Sequence, residues 1–383
     1  MPGEWNDKIF GVQAGNFEAL ALDIFRYQAA GNPVYRDFCA ALRVDPARVS
    51  RLAEIPFLPI RFFRTHPVLT GQVPVLTGQA PALTGQAPAL TGQVRVLTGQ
   101  VPVLTGQAPG QTGQEEAQQV FESSGTTGMV TSRHYVTDTS IYEESFLRSF
   151  AQFYGDIKEW RIIGLLPSYL ERGNSSLVYM TDRLIRESGD PKSGFYLHEF
   201  AQLADLLKEG EAQQKKTLLI GVTFALLDFA EQYPMPLQHT VIMETGGMKG
   251  RRVEITRPEV HDVLTKAFGV PSIHSEYGMT ELLSQAWSRG EGLFECPIWM
   301  KIVVRDEEDP LSLKWIDDSG ELIMRTNKHF VSGAINVIDL ANVNSCSFIA
   351  TDDAGKLYAD GSFEVLGRLD GSDMRGCSLL VVS

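Results

Sequence analysis

The chain predicts an α/β fold: a layered, parallel sheet with helices packed on it, followed by a β-rich C-terminal subdomain. Two observations predict this. Between residues 161 and 275 short β-branched runs alternate with helical ones, and strands separated by helices imply a parallel sheet covered on its faces. From Pro297 onward the texture becomes hairpin-like, with closely spaced apolar runs around an Asp318-Ser319-Gly320 turn. The 383 residues suffice for one large core or for two to three smaller units.

In chain order, residues 17–30 and 34–42 read as helices with mixed apolar faces. Residues 55–60 are apolar but broken by Pro56 and Pro59, which suits a buried connector better than a helix. Residues 119–122 form a short strand. The alternating region then supplies strand 161–166, helix 197–208, strand 217–221, helix 223–231, strand 240–243, helix 258–268 and strand 272–275. Hairpin strands are expected at 298–304, 313–316 and 321–325.

Residues 68–114 stand apart. A unit of the form Val/Ala-Leu-Thr-Gly-Gln-Val/Ala-Pro recurs with a period of seven. A heptad suggests a coiled coil, but each unit carries Gly and most carry Pro, which do not survive in a helix interior. The segment is expected to be an extended or disordered insert, with a small β stack as the alternative on composition alone. The expected division is therefore 1–67, an N-terminal helical part; 68–114, the insert; 115–296, an α/β core; and 297–383, a β-rich subdomain with a C-terminal tail.

Charge and cysteines narrow the function. A formal charge of −13, spread along the chain, argues against a nucleic-acid binder. Any polyanion bound here must be held by local donors and a metal ion against the overall field. Cys39, Cys296, Cys346 and Cys377 form no CxxC pair and no Cys/His cluster of metal spacing. The N-terminus lacks the pattern of a signal peptide, and the best apolar run, 218–230, contains Asp228 and is too short to span a bilayer. A cytoplasmic protein without integral membrane association is the expectation.

Several loops carry residues suited to chemistry. The strand at 119–122 runs into Ser123-Ser124-Gly125-Thr126-Thr127-Gly128, whose glycines free the backbone N–H groups and whose hydroxyls add donors for phosphate oxygens. No Gly-Lys-Ser/Thr follows, so it is not a Walker A loop; taken alone, it also fits a polar turn. Glu244-Thr245-Gly246-Gly247 follows a strand, and its glycines let a flat ring lie against backbone. Tyr277-Gly278-Met279-Thr280-Glu281 also follows a strand, where α/β folds place ligands. Its ring can stack on a base, Thr280 can bond a phosphate, and Glu281 can hold Mg²⁺; each also fits a packing or solvated role. In Thr351-Asp352-Asp353 and Gly367-Arg368, an Asp can accept both hydroxyls of a ribose and an Arg can support the same sugar.

In this order the motifs resemble the adenylate-forming superfamily. Ser123 to Gly128 is similar to its phosphate loop, Tyr277 to Glu281 to its YGxTE element, and Thr351 to Asp353 with Gly367-Arg368 to its TGD and GR pair, Asp352 standing where Gly is usual. Met129-Val130 stands where the family loop continues Pro-Lys, so the family lysine has no counterpart. Residues 122–128, 166–172, 244–251, 339–342, 345–351 and 375–377 resemble one branch in particular, the acyl-protein synthetases of the LuxE type, and apart from the insert the likeness covers nearly the whole chain.

The resemblance implies an adenylate-forming N-terminal domain without a separate C-terminal lid. It also implies a two-step reaction using ATP and Mg²⁺. ATP and a fatty acid give an acyl-adenylate; the acyl group then passes to a cysteine and on to a partner acyl reductase. Cys377 matches the acyl-carrying position, where Arg375 would favour the thiolate. His134 is a candidate to orient the acyl carboxylate or an adenylate oxygen, and Glu281 is the metal-binding candidate. Residues 123–128, Gly246, Gly247, Tyr277, Gly278, Thr280, Asp353 and Arg368 are the implied nucleotide contacts. An acyl- or aryl-CoA ligase of the phenylacetate type and an inactive nucleotide-binding scaffold are the alternatives.

Overall fold

The structure, a computed structural model, describes residues 3–71, 117–123, 131–166, 174–197, 199–246, 255–307, 309, 311–314 and 330–369. The N-terminal part folds as α1 (Gly3–Phe10), α2 (Phe17–Gly31), α3 (Pro33–Ala41), a two-residue strand β1 (Leu58–Pro59) and the single turn α4 (Phe62–Thr65). Helix α3 starts where Pro33 follows Asn32, whose side chain accepts from the Tyr35 amide at 3.1 Å. The connector at 55–60 is buried as expected, and within it β1 runs parallel to a later strand.

A hairpin of β2 (Gln119–Glu122) and β3 (Arg133–Val136) leads into α5 (Thr139–Tyr154). Next come β4 (Arg161–Leu165), α6 (Ser176–Ser188), β5 (Gly194–Phe195), α7 (Phe200–Ala212), β6 (Thr217–Gly221), α8 (Thr223–Gln232), β7 (Thr240–Glu244), α9 (Arg257–Phe268) and β8 (His274–Tyr277). In β5-β4-β6-β7-β8 every neighbouring pair is parallel, as the alternation predicts. Both faces are covered. Ile162, Leu218, Ile220 and Met243 join one core, while Ile163, Leu165, Leu219 and Ile242 join the other with α7, α8 and α9.

The sheet then turns antiparallel without breaking. Strands β9 (Ala286–Ser288), β10 (Leu293–Glu295), β11 (Met300–Arg305), β12 (Leu313–Lys314), β13 (Phe330–Asp339), β14 (Phe348–Tyr358) and β15 (Phe363–Arg368) extend it in the order β8-β9-β10-β15-β14-β13-β11-β12. The β-rich texture is present, but β10 pairs with β15 across the expected boundary at 296, so hydrogen bonding joins the two parts in one sheet.

Some expectations shift. The strand placed at 272–275 lies at His274–Tyr277, so Tyr277 ends the strand rather than following it. The helix placed at 197–208 is Phe200–Ala212. Thr351-Asp352-Asp353 sits inside β14, beside a register shift at Ala354/Gly355, and one tight turn separates it from Gly367-Arg368. Val68 and Leu69, the start of the repeat, are buried, and the Thr70 amide donates to the Asn344 carbonyl at 2.8 Å. Residues 72–114 of the insert, strand 321–325 and the turn at 318–320 lie outside the described residues.

Candidate nucleotide site

The C-terminal end of β8 faces β14 and β15, and there separate motifs meet. Tyr277 donates its hydroxyl to Asp353 Oδ2 at 2.9 Å. Its ring is held edge-on by Phe294 and Phe363, with centroids 5.9 and 5.5 Å away. Burial, then the neighbouring Asp353 charge, pushes the phenol well above its ordinary range, so it remains a donor. Asp353 lies opposite Arg368 in the strand register, and the Arg368 Nε is 3.5 Å from its Oδ1. Three residues from three motifs thus form one polar cluster.

Behind them a buried guanidinium fixes the strand. Arg305, 8% exposed, donates through Nη1 to the Ile335 carbonyl at 2.9 Å and through Nη2 to the Thr351 carbonyl at 2.6 Å. The Thr351 hydroxyl donates to Ile335 O at 2.7 Å and accepts the Asp353 amide at 3.2 Å. Beside the cluster, Asp352 Oδ2 lies 3.3 Å from Arg61 Nε and 3.9 Å from Arg368 Nη1.

Gly278 follows immediately, and a side chain there would have to displace the Glu276 carboxyl. A Cβ would fall 2.2 Å from Glu276 Oε1 and 3.2 Å from Gln285 Cγ. Burial, and then the charge of Glu244, raises the Glu276 carboxyl to about 8. Thr280 is half-buried and Glu281 fully buried. Their turn hangs on two buried groups: His134 Nδ1 donates to the Thr280 carbonyl at 2.8 Å, and Asn342 Nδ2 donates to the Glu281 carbonyl at 2.8 Å. Asp339 anchors the next residues by accepting the Leu283 and Ser284 amides at 2.8 and 3.0 Å.

His134 is itself 1% exposed and sits edge-on against Phe63 of α4. Burial lowers it to about 4, which leaves the ring neutral at pH 7. It therefore lies under the turn, with Nδ1 engaged by backbone.

Gly246 belongs to a second knot. Its φ of +72° suits glycine, and its amide donates to Glu244 Oε2 at 2.7 Å. Glu244 also accepts from Thr223 Oγ1 at 3.2 Å and Ser275 Oγ at 2.9 Å, and Arg257 Nε lies 3.3 Å away. Burial alone would raise this carboxyl; bonds and charges from His261, Arg257 and the Gly246 amide overcome it and hold it at about 2. Because Ser275 is two residues before Tyr277, Glu244 ties the glycine loop to the tyrosine strand.

Ser123 closes the β2–β3 hairpin: its amide donates to Ser132 O at 3.0 Å and its hydroxyl accepts the Ser132 amide at 2.9 Å. Ser124, Gly125, Thr126, Thr127, Gly128, Gly247 and Cys377 lie outside the described residues. Cys346 is fully buried, which agrees with a packing role.

Sequence reading missed Arg61, Glu276 and Arg305 altogether. Arg61 and Asp352 are 291 residues apart, and no local pattern marks such a pair. Among the described residues no group of three or more His, Cys, Asp or Glu is placed to hold a metal ion, and no helix is long and apolar enough to cross a membrane.

No family model matches the chain, and no curated protein matches it. Solved structures do resemble part of it. ATP-bound MatB from Rhodopseudomonas palustris shares 18% identity over 67% of this chain and 49% of that one, with a TM-score of 0.47. O-succinylbenzoate coenzyme A synthetase (MenE) from Bacillus subtilis, in complex with AMP, shares 19% over 67% and 63%, with a TM-score of 0.43. A long-chain-fatty-acid-CoA ligase (FadD1) from Archaeoglobus fulgidus shares 14% over 66% and 52%, with a TM-score of 0.43. The chain spans between about half and two thirds of the length of these proteins.

Proposed function

We propose that the protein activates a fatty acid with ATP as an acyl-adenylate, then carries the acyl group on Cys377 to a partner acyl reductase. The observation that carries this reading is the Tyr277–Asp353–Arg368 cluster, which unites three motifs at the C-terminal end of a sheet strand. Asp353 is the acceptor for the ribose hydroxyls, Arg368 supports it, and Tyr277 offers an aromatic edge to the base. Gly246 and Gly247 are the residues for the base to lie against, while Ser123 to Gly128, Gly278 and Thr280 serve the phosphates.

In the first step a carboxylate oxygen attacks the α-phosphorus and pyrophosphate leaves. In the second the Cys377 thiolate attacks the acyl carbon, AMP leaves and a thioester forms. Glu281 would be the carboxylate to hold Mg²⁺, which when bound would supply positive charge to the nucleotide phosphates. His134 acts through the Thr280 carbonyl as a positioning residue.

Intact-protein mass measurement after incubation with ATP and a fatty acid tests the second step. The expected result is one acyl adduct on the wild type, none on Cys377→Ala, and unimpaired acyl-adenylate formation by both. Persistent labelling of Cys377→Ala would assign the acyl group to another nucleophile. Acyl transfer to CoA with no protein adduct would favour a CoA ligase.

A further inference from the structure

The nucleotide site carries more negative charge than a phosphate ligand favours. Asp352 and Asp353 stand side by side on β14, in a chain of formal charge −13. Arg368 faces both, at 3.9 and 3.5 Å. A second cation comes from the far end of the sequence. Strand β1 pairs in parallel with Ile349 and Ala350, and the Ile60 amide continues the pairing to the Ala350 carbonyl at 2.9 Å. That register brings Arg61 alongside Asp352, with Nε 3.3 Å from Oδ2.

Arg61 differs from the other guanidiniums here. Its side chain is 56% exposed, against 17% for Arg368, and Arg305 is spent on backbone carbonyls inside the sheet. Only Nε of Arg61 bonds Asp352; the two terminal nitrogens make no hydrogen bond to a described residue. Their four N–H groups, beside the acidic pair, suit the planar recognition of a phosphate. The backbone that carries Arg61 is fixed. Leu58 and Ile60 are buried, and Phe63 is wedged against His134, the support of the Thr280 turn.

We infer that Arg61 is a phosphate-binding residue of the nucleotide site, parked on Asp352 and shared with the phosphates of a bound nucleotide. This deepens the nucleotide reading given above and rests on it. Asp352 then keeps the guanidinium at the site in the absence of ligand, and the exposed side chain swings toward the ligand without any movement of β1.

Calorimetric titration of the full chain with ATP and with adenosine separates the possibilities. Arg61→Ala is expected to weaken ATP binding about tenfold, the scale of one charge-assisted contact, and to leave adenosine unchanged. Arg61→Lys recovers part of the loss. The same Arg61→Ala loss persists in an Asp352→Asn background, because the contact is to the ligand. If Arg61 serves only to neutralise Asp352, the loss disappears in that background and the inference is overturned. Equal ATP affinity of wild type and Arg61→Ala also overturns it. A wild type that binds neither ATP nor adenosine removes instead the nucleotide reading on which the inference stands.

Discussion

At the scale of single residues, the site is built by side chains that hold backbone. His134 spends its Nδ1 proton on the Thr280 carbonyl and is sealed from solvent by Phe63 and the turn above it. Its titration therefore reports on the fold. Its ordinary value of 6.5 falls to about 4 in the folded chain, so the fold favours the neutral ring. This contribution is complete above pH 6.5 and is lost as pH falls through 4, on the order of 3 kcal/mol in all. Urea unfolding at pH 7, 5.5 and 4 should show a steeper decline for wild type than for His134→Gln. Parallel declines would mean that the ring is not buried as described.

At the scale of elements, the glycine loop after β7 depends on one carboxylate. Glu244 gathers Thr223 from α8, Ser275 from β8, Arg257 from α9 and the Gly246 amide. Its folded value of about 2 lies below the ordinary 4.5. The stability it supplies is present above pH 4.5 and is lost as pH falls toward 2. Glu244→Gln leaves Arg257 without its charged partner and is expected to cost about 2–3 kcal/mol in chemical denaturation at pH 7. It should also flatten the acid limb between pH 4.5 and 2. Wild-type stability in this variant would show that the loop is held by other contacts.

At the scale of the whole molecule, the parallel half of the sheet was legible because buried strands and covering helices alternate in plain apolar runs such as Thr217-Leu218-Leu219-Ile220-Gly221. The long strands β13 and β14 were not. They carry Gly333, Asn336, Asp352, Asp353 and Gly355, residues that read as turns and are accommodated here by register shifts and by Arg305. Tyr277, Asp353 and Arg368 were nameable from their motifs, and the structure brings these three together. Arg61 and Arg305 were not nameable, because each acts on β14 across the sheet and has no local pattern around it.

The Tyr277–Asp353–Arg368 cluster is proposed to serve acid activation by ATP. That role is tested most directly by exchange of labelled pyrophosphate into ATP across a series of fatty acids, with wild type and Asp353→Ala side by side. Exchange should require a fatty acid and fall at least tenfold in Asp353→Ala, which lacks the proposed acceptor for the ribose hydroxyls. Absence of exchange with every carboxylic acid tried, or exchange indifferent to Asp353, would contradict it.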